Sequence, residues 1–302
     1  MRQAIENSLC VDVRNLFQKF VSDDFFNNIE EIRLRIEKPI IIKNKNTEWS
    51  ITNDTLTKNI LSGYVVTKKN LYETFELITN YSAYAFENEI KNGFITIAGG
   101  HRIGLAGKIV SEFGKIKTIS NINSLNFRIA HEIKNCAQSI IKYVSNPLAN
   151  TIIISPPGCG KTTLLRDLIR ILSEYYTISV IDERSEIGSC YLGIAQNDLG
   201  LHTDILDSCP KTEGMLMALR TMSPQIIAVD EIGTLADARA IENITNSGVK
   251  IICTLHGKNL ADIKNREFIK SMLNEKIFER YIFLQEIGKI SNIYDENLEK
   301  IL

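Results

Sequence analysis

No Cys-x-x-Cys pair occurs among the six cysteines, Cys10, Cys136, Cys159, Cys190, Cys209 and Cys253. Their scatter argues against a disulfide scaffold and against a zinc ribbon, and it fits a reducing cytosol. Only four histidines are present (His101, His131, His202, His256), and none stands in an H-E-x-x-H pattern. No apolar run approaches the roughly 18 residues that a spanning helix needs. The opening residues, MRQAIENSLC, lack the apolar core of a secretory signal. The expectation is a soluble chain, so that any work at a membrane would require a partner to hold it there. Charge of one sign is also missing: 35 Lys+Arg stand against 36 Asp+Glu, a net charge of -1. Nothing in that balance suggests a general attraction to nucleic acid.

What is present is ordinary globular composition. The chain has 302 residues, 44% hydrophobic and 24% charged, enough for about two domains. The first half reads as mixed α/β. Glu31 to Ile36 alternates charged and apolar residues, the period of a half-buried strand, and Ile40 to Ile42 forms a second short one. Thr67 to Asn92 reads as one helix with Thr67 as its N-cap and Gly93 as its stop. Phe94–Ile97, Gly99-Gly100 and Ile103–Val110 suggest a glycine-turned hairpin, and Ser124–Ile129 another strand. Glu132 to Val144 reads as a short helix. Ser145 to Asn150 is polar and contains a proline, so the junction is expected there, with domains at 1–145 and 146–302. Beyond it, short β-branched runs (Thr151–Ile154, Ile178–Ile181, Ile226–Val229, Val249–Thr254) alternate with helical stretches. That pattern predicts an α/β domain with a parallel sheet covered on both faces.

One run carries most of the chemistry: Ser155-Pro156-Pro157-Gly158-Cys159-Gly160-Lys161-Thr162-Thr163, between a predicted strand and a predicted helix. A strand, a small-residue loop and a helix form the context of a phosphate-binding P-loop. Small residues let backbone N–H groups curl around an anion, and the helix N-terminus adds partial positive charge. Lys161 is expected to reach the β- and γ-phosphates of ATP, and the Thr162 hydroxyl to bind Mg²⁺. The usual first glycine of G-x-x-x-x-G-K-T is Ser155 here. It is small, and Gly158 and Gly160 are free to supply positive φ. Cys159 sits where a thiol's acidity tends to rise, but a tolerated filler is the simpler reading.

Ile226-Ile227-Ala228-Val229-Asp230-Glu231 describes a buried strand that delivers two carboxylates to a sheet edge. Asp230 is expected near the metal, and Glu231 is expected to polarise the attacking water. Asp182-Glu183-Arg184-Ser185-Glu186 repeats the theme, with Glu183 the favoured participant. His256, at the end of Ile251–Leu255, is placed to sense a γ-phosphate. Phosphoryl transfer also calls for a cation, and the candidates are Arg220, Arg102 and Arg128, each of which is individually more ordinary as a surface ion pair. Gly104 to Lys108 contains a G-x-x-G beside basic residues, as RNA-binding KH loops do, though a hairpin turn is the better reading.

The P-loop run through Asp167, the Asp182–Glu186 segment, Ala218–Pro224 and Val229–Gly233 resemble the stage III sporulation protein AA family. So do Gly99–Gly107 and Leu125–Ala130, and serine at the head of the loop is usual in that family. The family is similar to ATPases of type II and type IV secretion and of pilus machines. The resemblance implies a RecA-like P-loop NTPase domain behind a smaller N-terminal domain, and a homo-hexamer. It matches an acidic box to Asp182–Glu186 and a histidine box to Thr254 and His256. It departs at Asp230-Glu231, where many secretion ATPases have Gly-Glu. The implied biology is endospore formation, with the ATPase in the mother-cell cytoplasm beside integral-membrane proteins of a channel complex. A nucleic-acid-dependent ATPase, or a nucleotide-gated scaffold with little turnover, are the competing readings.

Overall fold

A computed structural model describes residues 2–302. They form two compact units, one up to His131 and one from Glu132 to Leu302.

The first unit holds helices α1 (Arg2–Ser8), α2 (Val11–Phe20) and α3 (Asp23–Phe26), then strands β1 (Ile29–Arg35), β2 (Ile41–Asn44), β3 (Thr47–Ile51) and β4 (Leu56–Thr57). Helices α4 (Lys68–Ile78) and α5 (Glu87–Lys91) follow, with β5 (Phe94–Ile97), β6 (His101–Glu112) and β7 (Lys115–Arg128). The strands make one antiparallel sheet in the order β4-β3-β2-β1-β7-β6-β5. The alternation in β1 does what its period requires: Ile32 and Leu34 are buried, and Glu31 and Arg33 face outward as an ion pair.

Two expectations change here. The helix over 67–92 is interrupted. Thr67 does cap it, in a capping box with Asn70. At the other end the Asn80 N–H donates to the Leu77 carbonyl and the Tyr81 N–H to the Glu76 carbonyl, with Asn80 at φ 48°. This is the double bond of a Schellman ending, and asparagine tolerates the left-handed position it needs. Second, Gly104–Lys108 is neither a KH loop nor a turn. It lies inside β6, and the turn of the hairpin is at Phe113-Gly114. A Cβ on Gly107 would stand 2.6 Å from the Ser120 carbonyl, so glycine there answers a close backbone approach across a bulge.

The second unit opens with an irregular stretch and a short helix α6 (Ile141–Val144). Of the helix expected over 132–144, only this last turn forms. The Ala137 N–H donates to the Asp167 carboxylate at 2.8 Å, and Ala137, Ile140 and Val144 pack into a core with Leu164, Leu165 and Leu168. The segment therefore follows its neighbour's surface, and the two units divide ahead of the Ser145–Asn150 stretch where the junction was expected.

There follow β8 (Thr151–Ser155), α7 (Lys161–Leu172), β9 (Ile178–Asp182), β10 (Thr203–Asp207), α8 (Lys211–Thr221), β11 (Ile226–Glu231), α9 (Leu235–Asn246) and β12 (Lys250–His256). The unit ends with α10 (Leu260–Lys264), α11 (Glu267–Asn274), β13 (Arg280–Glu286) and β14 (Lys289–Tyr294). The sheet order is β10-β9-β11-β12-β8-β13-β14, parallel except for the β13–β14 hairpin. Alternate residues of the buried strands feed two cores. Ile152 and Ile154 join one with α8, α9 and α11, while Ile153 joins the other with α7. Strand β12 thus lies between the P-loop strand β8 and the acidic strand β11.

Candidate nucleotide site

The loop after β8 turns on Gly158 (φ 78°) and Gly160 (φ 89°), both in the left-handed region. A side chain at either position would be strained by backbone sterics alone. Ser155 is fully buried, and its hydroxyl donates to the Pro156 carbonyl at 2.8 Å. Pro157 and Gly158 are exposed at the tip. Cys159 folds inward, with Sγ 3.6 Å from the Gln285 carbonyl, and its own carbonyl accepts from the Gly288 N–H at 3.1 Å. Gly160 is the N-cap of α7 and offers no capping side chain, so the first-turn N–H groups have no side-chain acceptor from that position. Thr163, on the same turn, gives its carbonyl to the Cys136 thiol.

Lys161 is buried at the start of α7, and its ammonium lies 3.0 Å from His256 Nδ1. Burial lowers its pKa, while Glu231 and Asp230 pull it up again. His256 Nε2 lies 2.8 Å from Glu231 Oε2. An ammonium only donates, so Nδ1 accepts and Nε2–H donates to the carboxylate. Lys161, His256 and Glu231 form one chain of contacts across the tip of β12.

Asp230 is the next group along. It is 8% exposed, and its Oδ1 accepts from the Thr254 hydroxyl at 3.2 Å and the Thr162 hydroxyl at 3.4 Å. Burial and the nearby Glu186 push its pKa up, opposed by Thr254 and Lys161. The β11–β12 register slips between Val229 and Glu231, which makes Asp230 an extra residue in the ladder. A bulge of this kind re-aims side chains at a sheet edge. The Thr162 hydroxyl and the Asp230 carboxylate together are hard oxygen donors. They suit Mg²⁺, which usually takes one or two protein oxygens and fills the rest of its shell with water and phosphate. No cluster of three or more His, Cys, Asp or Glu side chains suited to a metal occurs among the described residues, so a metal caged by protein alone has no seat among them.

The acidic segment after β9 behaves differently. Asp182 is completely buried and accepts the N–H groups of Glu186, Ile187 and Gly188 at 2.8, 2.9 and 2.8 Å. Burial nevertheless carries its pKa up to about 6. Arg166, from α7, donates to the carbonyls of Glu186 and Ile187 at 2.8 and 3.0 Å and holds the same loop from the other side. Glu183 turns outward to Lys211, with Oε2 3.1 Å from the ammonium. The Lys211 ammonium also donates to the Glu231 carbonyl at 2.7 Å.

The structure therefore brings Lys161, Thr162, Asp230, Glu231, Thr254 and His256 together, with Glu183 tied in through Lys211. It does not bring Arg220. That side chain is exposed at the last turn of α8 and donates to the Leu216 carbonyl of its own helix. With about 1.5 Å of rise per residue, it lies roughly 14 Å along the axis from Lys211. Lys211 is not among the residues that the sequence motifs single out. A signal exists all the same: it opens a helix, where the dipole disfavours a cation, so a local rule is broken.

A family model described as "Sporulation stage III, protein AA" matches residues 1–301. Stage III sporulation protein AA of Bacillus subtilis (strain 168) is 38% identical over 279 residues, spanning 89% of this chain and 87% of that protein. Among solved structures, the pilus retraction motor PilT with bound ADP aligns at a TM-score of 0.59 and 13% identity, over 86% of this chain and 75% of that one. The ATPase DotB of Legionella pneumophila aligns at 0.54 and 15%, over 85% and 72%. At such identities the likeness speaks for the fold alone: the RecA-like P-loop architecture of secretion and pilus ATPases.

Proposed function

This chain belongs to the stage III sporulation protein AA family, and from that premise we propose that it is a Mg²⁺-dependent ATPase of endospore formation whose turnover drives a membrane-embedded channel complex. The observation that carries the reading is the meeting of an uncapped, glycine-turned helix start bearing Lys161 and Thr162 with the Asp230-Glu231 pair, across a single intervening strand. The loop amides of residues 155–163 and Lys161 would hold the phosphates of ATP. Thr162 and Asp230 would hold Mg²⁺, which when bound neutralises phosphate charge. Glu231 would orient the attacking water and accept its proton, and His256, between Lys161 and Glu231, would report the γ-phosphate.

Arg220 enters this scheme only from a neighbouring subunit, because its own helix carries it away from its own site. A homo-hexamer, integral-membrane partners and a mother-cell location at the forespore-facing membrane follow from the family and remain part of the proposal. No helix of the described residues is long and apolar enough to cross a membrane. The nucleic-acid reading loses its only support, since Gly104–Lys108 is strand interior.

The test is phosphate release by the purified chain with Mg²⁺ and ATP, alone and with the cytoplasmic part of a membrane partner. Lys161→Ala is expected to weaken ATP binding on the order of 100-fold, the value of a buried charge-assisted contact. Nucleotide affinity equal to wild type in that variant would overturn the phosphate role. Binding without measurable turnover under any condition would favour a nucleotide-gated scaffold.

A further inference from the structure

We propose that Lys211 is a positioning residue for hydrolysis, holding the water-orienting Glu231 and the outward Glu183 as one unit; this rests on the ATPase reading above. Four facts converge on it. Lys211 starts α8 immediately after Pro210, and a cation in that place opposes the helix dipole. Its cost is offset by two specific acceptors: the Glu231 carbonyl at 2.7 Å and the Glu183 carboxylate at 3.1 Å. Its side chain is 18% exposed, so the contacts are partly shielded from water and less screened than surface pairs. Finally, Glu231 directly follows the register slip of β11: Asp230 is the unpaired residue, and Glu231 pairs with Thr254 as the last rung of the β11–β12 ladder. At this strand end the Glu231 carbonyl takes the Lys211 ammonium as its side-chain donor.

The consequence is geometric. The main chain at Glu231 determines where its carboxylate stands relative to Lys161 and His256. One end of that residue is held by His256 through the side chain, the other by Lys211 through the backbone. Removing Lys211 frees the backbone while leaving the phosphate-binding loop untouched. Such a loss falls on the chemical step, because orientation matters more to the transition state than to bound substrate.

Lys211→Met keeps the stem and removes the donors. Turnover should fall about 10- to 100-fold, as a lost positioning contact does, with the affinity for ATP, read by fluorescent-nucleotide displacement, within about threefold of wild type. Lys211→Arg retains charge and donors and should recover a large part of the rate. Lys250→Met, which breaks the ion pair with Glu279 at the opposite end of β12, should leave turnover unchanged. Thermal melts identify a variant that is merely unfolded; should Lys211→Met be one, Lys211→Arg and Lys211→Gln carry the same comparison. Wild-type rate in folded Lys211→Met or Lys211→Gln, or an equal loss of affinity and rate, would overturn the positioning role. A wild-type protein that fails to turn over ATP would instead sink the ATPase reading, which the wild-type control separates from this one.

Discussion

Two Asp-Glu pairs stand at the ends of adjacent parallel strands, Asp182-Glu183 on β9 and Asp230-Glu231 on β11, and they do different work. Asp182 commits both carboxylate oxygens to three backbone N–H groups of the loop that follows it. Asp230 receives two hydroxyls and stays within reach of Thr162. Glu183 is turned away to Lys211, whereas Glu231 lies against His256 and, through it, Lys161. The same dipeptide at the end of the same kind of strand is thus a loop fastener in one place and, in the other, part of the side-chain cluster with Lys161, Thr162 and His256. What separates them is the occupancy of the carboxylate by main-chain donors, together with the position of each strand relative to the P-loop.

The sharpest break between the pairs is expected at their glutamates. Glu231→Gln should lower ATP turnover about 100- to 10,000-fold, the range of a general base, while ATP binding persists. Unchanged turnover in that variant would erase the distinction between the two pairs. Asp182→Asn should leave ATP affinity close to wild type and cost stability instead, on the order of 1–3 kcal/mol, since an amide keeps one acceptor and turns a donor toward N–H groups. Chemical denaturation measures it.

The pH dependence of that gap sharpens the point further. The folded-state pKa of Asp182 is up at about 6, above its unfolded range. The native state therefore binds this proton more tightly, and the stability it contributes is fullest below about pH 4 and is lost as pH rises through about 6. The wild-type advantage over Asp182→Asn should widen on acidification from pH 7 to pH 4, and a gap that narrows would contradict the burial effect. The smallest change belongs to Glu183→Gln. Lys211 keeps its bond to the Glu231 carbonyl, so turnover should fall less than about tenfold. A loss as large as that of Glu231→Gln would move Glu183 into the reacting centre.

Much of this is legible in the order of the residues. Period and composition mark the strand, small-residue loop and helix from Thr151 to Leu172, and they mark the apolar run ending at Asp230-Glu231 as well. β12 lies beside β8 with His256 opposite Ser155, so the position of His256 at a strand tip next to the loop is legible. The rest depends on tertiary partners. Nothing local distinguishes Asp182 from Asp230, because the three N–H groups that occupy Asp182 come together only once the loop is folded. Glu132–Val144 carries helical residues, yet the surface of α7 and the Asp167 carboxylate override its propensity. β10 and β14 leave little trace in the residue pattern, since their mixed burial dilutes the alternating signal; β13 differs, because its Tyr281–Leu284 run is apolar and buried like the other inner strands.

The order of strands has a last implication. With β12 inserted between β8 and β11, the P-loop wall and the carboxylate wall stand two strand spacings apart, roughly 9–10 Å. That interval is spanned by the tip of one strand. The residues of that tip reach the walls: Thr254 touches Asp230, and His256 touches Lys161 on one side and Glu231 on the other. Exchanging the residues of that tip would thus alter the coupling between the two walls while leaving both walls as they are.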